Sequence, residues 1–302
     1  MNISFTGKGI FVALLALIPI LCEATAIALV ALGVFEMPIE VGFSLGFAVA
    51  PVAVAIIVPQ VMKWDSLGYG KSKGIASSIT ASSTFDNIAC LILYGICKTI
   101  TFQYAAEIKG NQQHTNPAWA IGSIFVHNVA GIIAGVIMGL LGWFFKFIDN
   151  KPYSINLKAA YALVVAVGLI IASELSTFTN AKFIACLSFG YTCFRVWGDK
   201  KPTQQIADCW FYIQPFLFGT IGASLLFSQV RARDVGASFI LIFFGQLIRF
   251  CATFFTSYAN KLSVKESIFM SIAWIPKSTV PATLAGVIYN EALALGDTYK
   301  DY

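Results

Sequence analysis

The chain has 302 residues, of which 58% are hydrophobic and only 12% charged, with a mean hydropathy of +0.77 and a formal net charge of +5. About a quarter of the residues in soluble globular proteins are charged, so this composition excludes an ordinary soluble enzyme or binding module. In such a chain the basic excess is read through its distribution among loops, and it does not mark a nucleic-acid surface.

The apolar residues fall in blocks. A spanning helix needs ~20 mostly apolar residues to cross a hydrocarbon core of ~30 Å, and nine such segments can be drawn: 9–34, 40–62, 75–97, 119–145, 159–174, 179–197, 209–228, 235–255 and 266–290. The expectation is an all-α polytopic membrane protein with about nine transmembrane helices and one transmembrane domain over 1–302. The first segment is too long for a signal-peptide apolar region and is read as a retained span carrying Glu23.

The second segment contains Pro51 and Pro59 within GFAVAPVAVAIIVPQV, so a helix break is expected there, because proline removes a backbone donor and crowds the preceding turn. WDSLGYGKSKG then connects to the third segment, which carries Asp86 and Asn87. The fourth follows KGNQQHTNP and holds His127, read as a structural histidine; DNKPYS and WGDKKPTQQ punctuate the middle of the chain. The eighth carries Arg249, and the last reads SIAWIPKSTVPATLAGV, with Pro276 and Pro281 flanking Lys277 and predicting a second break.

With the N-terminus inside, and with Lys182 and Arg195 near the ends of the sixth segment assigned to the faces they border, 12 of the 20 Lys and Arg residues fall on the cytoplasmic or matrix side, six outside and two deep within spans. This asymmetry supports an odd number of spans. Seven cysteines lie mostly in apolar segments and read as small buried hydrophobes.

Glu23, Asp86, Arg249 and Lys277 are ionisable residues at membrane depth, where each costs at least ~2.5–3.5 kcal/mol and marks an ion pathway, a relay or a structural pair. Two acids and two bases suggest mutual pairing, with Glu23 and Arg249 as a supporting pair. Broken helices at corresponding places in the first (1–98) and last (231–302) parts, separated by connecting helices (99–230), follow the logic of inverted-repeat transporters.

At these residues the sequence resembles the sodium/proton antiporters of the monovalent cation/proton antiporter superfamily, most closely the animal-type NHA exchangers. The resemblance runs from CEATAIALVALG through VPQVMKWDSLGYGKSKGI, STFDNI, IQPFLFGTIGAS, LIRF and KESIFMSIAWIPKSTV to ALGDTYKDY. It implies a partial NhaA-like inverted-repeat fold with two broken crossing helices. It also implies an ion site at Asp86, with Lys277 able to pair with that aspartate and Glu23 with Arg249 beside it.

Three departures stand beside the matches. The family's second aspartate is Asn87, whose carboxamide can offer an oxygen to a cation but carries no exchangeable proton near neutral pH. A family serine in the first break falls on Ala53, and family members have further helices before the first segment and after the last.

The functional expectation is therefore monovalent cation/proton antiport, with no enzymatic motif, no cofactor and no metal beyond a transported Na⁺ at Asp86. The alternative is a non-transporting, exchanger-like subunit of a larger membrane complex, such as a mitochondrial inner-membrane respiratory assembly. The mitochondrial inner membrane or the plasma membrane is the expected location. Expected partners are the bilayer, monovalent cations and protons, and either other membrane subunits or a homo- or hetero-oligomer.

Overall fold

The computed structural model describes residues 5–108, 117–176, 181–223, 232–278, 280, 281 and 284. Ten α-helices are defined among these residues: α1 (Phe5–Phe35), α2 (Ile39–Val49), α3 (Val54–Ser66), α4 (Ile75–Ile108), α5 (Pro117–Leu141), α6 (Ser154–Leu175), α7 (Lys182–Trp197), α8 (Thr203–Ala223), α9 (Ala232–Ala259) and α10 (Val264–Ala273). They fall on the nine expected segments, with the second segment divided into α2 and α3. Among the described residues, five stretches are long and apolar enough to cross a membrane: Gly9–Phe35, Ile75–Thr101, Gly122–Ile148, Ser154–Leu175 and Val235–Ala259. The connector KGNQQHTNP is almost wholly outside the described residues, as are the ends of the seventh and ninth segments and the terminal ALGDTYKDY.

The chain forms two compact units, Met1–Thr115 with Phe227–Tyr302, and Asn116–Leu226. The stretches expected as first and second repeats fall in the same unit, and the connecting helices largely make the other.

In the first unit α1 packs against α2, α4 and α9, while α10 lies on α9 and α3 on α4. One side of α1 buries Leu15, Ile20, Ala24 and Ile27, whereas Ile10, Leu14, Leu17 and Leu21 on another side are exposed. A helix that is apolar on its exposed face as well as its buried one suits lipid and not water. The inner residues join two main clusters, one around Leu15, Val52, Ile79 and Trp274 and one around Ile20, Ala50, Cys90 and Tyr94.

In the second unit α7 packs between α5 and α6, over a core of Val165, Phe189, Cys193 and Trp197. The approach of α5 to α7 depends on Gly135, where an added Cβ would collide with the Ala185 carbonyl oxygen. Lys158, expected in a loop, is instead wholly buried near the start of α6. It donates to Asp149 Oδ1 at 2.5 Å and to the Lys200 carbonyl at 3.1 Å, tying two connectors together.

Not every proline behaves as the sequence suggests. The first break lies at residues 50–53, around Pro51, but α3 runs through Pro59 without interruption. Pro19 and Pro215 are likewise contained within α1 and α8. A single lost backbone bond is tolerated in a membrane helix when its neighbours hold the turn. At the second break α10 ends at Ala273, residues 274–278 are non-helical around Pro276, and helix is resumed at Val280 and Pro281.

Candidate functional site

The two breaks meet inside the first unit. Val52 and Lys277 form an antiparallel bridge in which Ala53 N–H donates to the Pro276 carbonyl and Ser278 N–H to the Pro51 carbonyl, both at 3.0 Å. Each unwound segment thus satisfies part of the other's backbone, which makes non-helical chain tolerable at membrane depth.

Breaking the second segment exposes helix ends of opposite polarity. The α2 end presents the Ala50 carbonyl, which accepts from Arg249 Nη1 at 2.7 Å and from Lys277 Nζ at 3.5 Å. Two residues on, Val52 N–H, just before the start of α3, donates to Asp86 Oδ2 at 3.3 Å. Cations therefore gather at a helix C-terminus and the carboxylate at a helix N-terminus, as the backbone dipoles favour.

The four ionisable residues singled out from the sequence form one connected cluster. Arg249 donates through Nη1 to Glu23 Oε2 and through Nη2 to Asp86 Oδ1, the latter at 2.5 Å, and Lys277 donates to Glu23 Oε1. Arg249 and Asp86 are fully buried and Glu23 is 1% exposed, whereas the Lys277 side chain retains 21% exposure. The guanidinium bridges both acids with two separate nitrogens, a use of its planar fork that lysine could not reproduce.

This corrects the expected pairing of Lys277 with Asp86. Lys277 is bound to Glu23, and the ion-pair partner of Asp86 among the described residues is Arg249. The reason lies in the break: both cations share the Ala50 carbonyl, and Arg249 has the nitrogens needed to reach past it to both acids.

Asn87 lies beside Asp86, half-buried. Its Nδ2 donates to the Val52 carbonyl at 3.1 Å, and its Oδ1 is buried and has no hydrogen-bond partner among the described residues. Ala53, in the place of the expected serine, is buried and contributes only backbone, donating to Pro276. Among the expected prolines, Pro51 and Pro276 sit in the crossing itself, Pro59 lies within α3, and Pro281 lies in the helix that resumes after Lys277. His127 lies in α5, in the second unit.

Sequence reasoning missed the residues that bring α1 to the crossing. A Cβ at Gly46 would stand 2.8 Å from the Ala24 carbonyl oxygen, so α2 lies directly against the α1 backbone one residue from Glu23. The cue was present as glycines at i and i+4, Gly42 and Gly46, in an apolar helix. Backbone acceptors such as Ala50, by contrast, leave no mark in side-chain chemistry.

A family profile described as "Sodium/hydrogen exchanger, transmembrane" matches residues 4–300. Sodium/hydrogen exchanger 9B2 of Mus musculus is 30% identical, covering 98% of this chain and 52% of the relative. Sodium/hydrogen exchanger 9B1 of Homo sapiens is 29% identical, covering 92% and 52%. The chain thus spans about half the length of these curated relatives. The solved structure of the sodium proton antiporter MjNhaP1 from Methanocaldococcus jannaschii is similar in fold, with a TM-score of 0.65 at 18% identity, over 98% of this chain and 70% of that one.

Proposed function

The chain belongs to the sodium/hydrogen exchanger family, and we propose that it is a monovalent cation/proton exchanger whose ion site is the four-charge cluster at the crossing of the two broken helices. The observation that carries this reading is the neutral cluster with the unpartnered Asn87 Oδ1 beside it. Asp86 and Asn87 offer a carboxylate oxygen and a carboxamide oxygen, ligands suited to a hard cation such as Na⁺ or Li⁺.

Charge balance suggests how exchange is coupled. Glu23 and Asp86 cancel Arg249 and Lys277, so an added cation leaves one uncompensated charge away from water, at a cost of roughly several kcal/mol. Loss of one proton restores neutrality. Arginine does not deprotonate in proteins and Asn87 has no proton to give, which leaves Lys277 as the donor. In this scheme a cation takes its place at Asp86, Arg249 shifts toward Glu23, and Lys277 releases a proton through its exposed side.

The grip of Arg249 on Asp86 favours a second reading, a non-transporting subunit of a larger membrane assembly in which the cluster only orders the bundle. The two separate in proteoliposomes carrying a pH gradient. The exchanger reading predicts Na⁺- or Li⁺-dependent dissipation of the gradient that is lost in Asp86→Asn. No exchange supports the subunit reading, and equal exchange by the variant rejects Asp86 as the ion site.

The basic loops favour an N-terminus on the cytoplasmic or matrix side, with the mitochondrial inner membrane or the plasma membrane as the location. Partners are further membrane subunits or additional copies of the chain.

A further inference from the structure

At the ends of α3 and α10 lies a cavity of about 610 Å³, lined by Trp64, Leu67, Tyr69, Ile75, Phe269 and Lys265 among others. We propose that it binds an anionic phospholipid of the surrounding membrane, with an acyl chain in the cavity and the phosphate against the lysines on its rim.

Depth supports a lipid. From the crossing, α3 extends 13 residues and α10 extends 10, which at 1.5 Å per residue is about 20 and 15 Å. Half of a ~30 Å hydrocarbon core is about 15 Å, so a crossing near mid-depth puts the cavity at the level where acyl chains meet headgroups. Trp64 and Tyr69, 41% and 72% exposed, are the side chains that favour this level. The cavity is built rather than incidental: Trp64 packs edge-on against Phe269 with ring centroids 5.3 Å apart, and Lys73 donates to Glu266 at 2.6 Å, joining the turn before α4 to the start of α10.

Charge selects an anionic headgroup. The end of α3, the start of α10 and the turns beside them carry Lys63, Lys71, Lys73, Lys261 and Lys265 against Asp65 and Glu266. Glu266 is engaged by Lys73, while Lys63, Lys71, Lys261 and Lys265 are exposed and have no ion-pair partner among the described residues. An apolar slot with Lys265 in its wall and further unneutralised lysines on the segments around it matches a phosphate on an acyl chain better than a zwitterionic headgroup or a soluble anion.

The test is thermal unfolding of the purified full chain in mild neutral detergent, with dioleoyl phosphatidylglycerol, dioleoyl phosphatidylcholine or glycerol 3-phosphate added. Phosphatidylglycerol is expected to raise the unfolding midpoint, with little effect from the other two. In Lys71→Gln/Lys265→Gln the phosphatidylglycerol needed rises roughly 25-fold, about fivefold per lysine. Leu67→Glu, at a 65% exposed position on the cavity wall, abolishes the response. Lys146→Gln/Lys151→Gln, with the same charge change in the second unit, leaves it intact. An equal response to phosphatidylcholine, a full response to glycerol 3-phosphate, or the same loss in the Lys146/Lys151 control overturns the proposal.

Discussion

Replacing Glu23 by glutamine keeps the shape of the side chain and changes the cluster by one charge. In the native arrangement the two Glu23 oxygens receive Arg249 and Lys277 separately. A neutral carboxamide in that place would leave both cations to Asp86 alone, a net charge of +1 at a site where Arg249 and Asp86 have no exposure. Removing one partner of a buried ion pair costs about 3–5 kcal/mol. For a chain of this size, each kcal/mol shifts the melting midpoint by about 2–3 °C, so a fall on the order of 10 °C is expected. The assay is fluorescence-detected size exclusion after heating the purified chain. The companion variant Glu23→Gln/Lys277→Gln is neutral again and is expected to recover most of the loss, a coupling that additive effects cannot produce. A Glu23→Gln protein that melts with wild type, or a double variant worse than the sum of its parts, refutes the charge-balance argument.

Gly46→Ala puts a methyl group 2.8 Å from the Ala24 carbonyl oxygen; separating α1 from α2 should cost about 1–3 kcal/mol, seen as a lower melting midpoint. Lys158→Met leaves Asp149 without its ammonium partner, and limited proteolysis is expected to cut faster within 149–153. Lys73→Ala removes an ion pair whose side chains are 40% and 24% exposed, and should change stability by less than about 1 kcal/mol. Asn87→Asp makes the cluster net negative, so a bound cation neutralises it; NaCl should then stabilise the variant, relative to choline chloride, more than it stabilises wild type.

The ionisable residues were legible in the sequence because burial makes them costly: Glu23, Asp86, Arg249 and Lys277 stood out against long apolar runs, and their formal charges already summed to zero. Pro51 and Pro276 likewise announced the two breaks. Pairing was not legible, because sequence gives charges without distances. Lys277 went to Glu23 since both cations converge on one carbonyl, at Ala50, whose exposure is created by the break itself. Pro59 misled for a related reason: one missing N–H marks where a helix can break, and the turns around it decide whether it does. The burial of Lys158 escaped notice because a lysine at the edge of an apolar segment reads as the end of a loop until Asp149 and the Lys200 carbonyl are brought to it by the fold.

The central claim, that a cation entering at Asp86 is balanced by the proton of Lys277, is tested most directly by counting protons released from purified protein in weakly buffered solution when NaCl replaces choline chloride. The account predicts release of about one proton per bound Na⁺ by wild type, from the single charge that must be cancelled, and none from Lys277→Met. Na⁺ binding without proton release, or release undiminished in Lys277→Met, would contradict it.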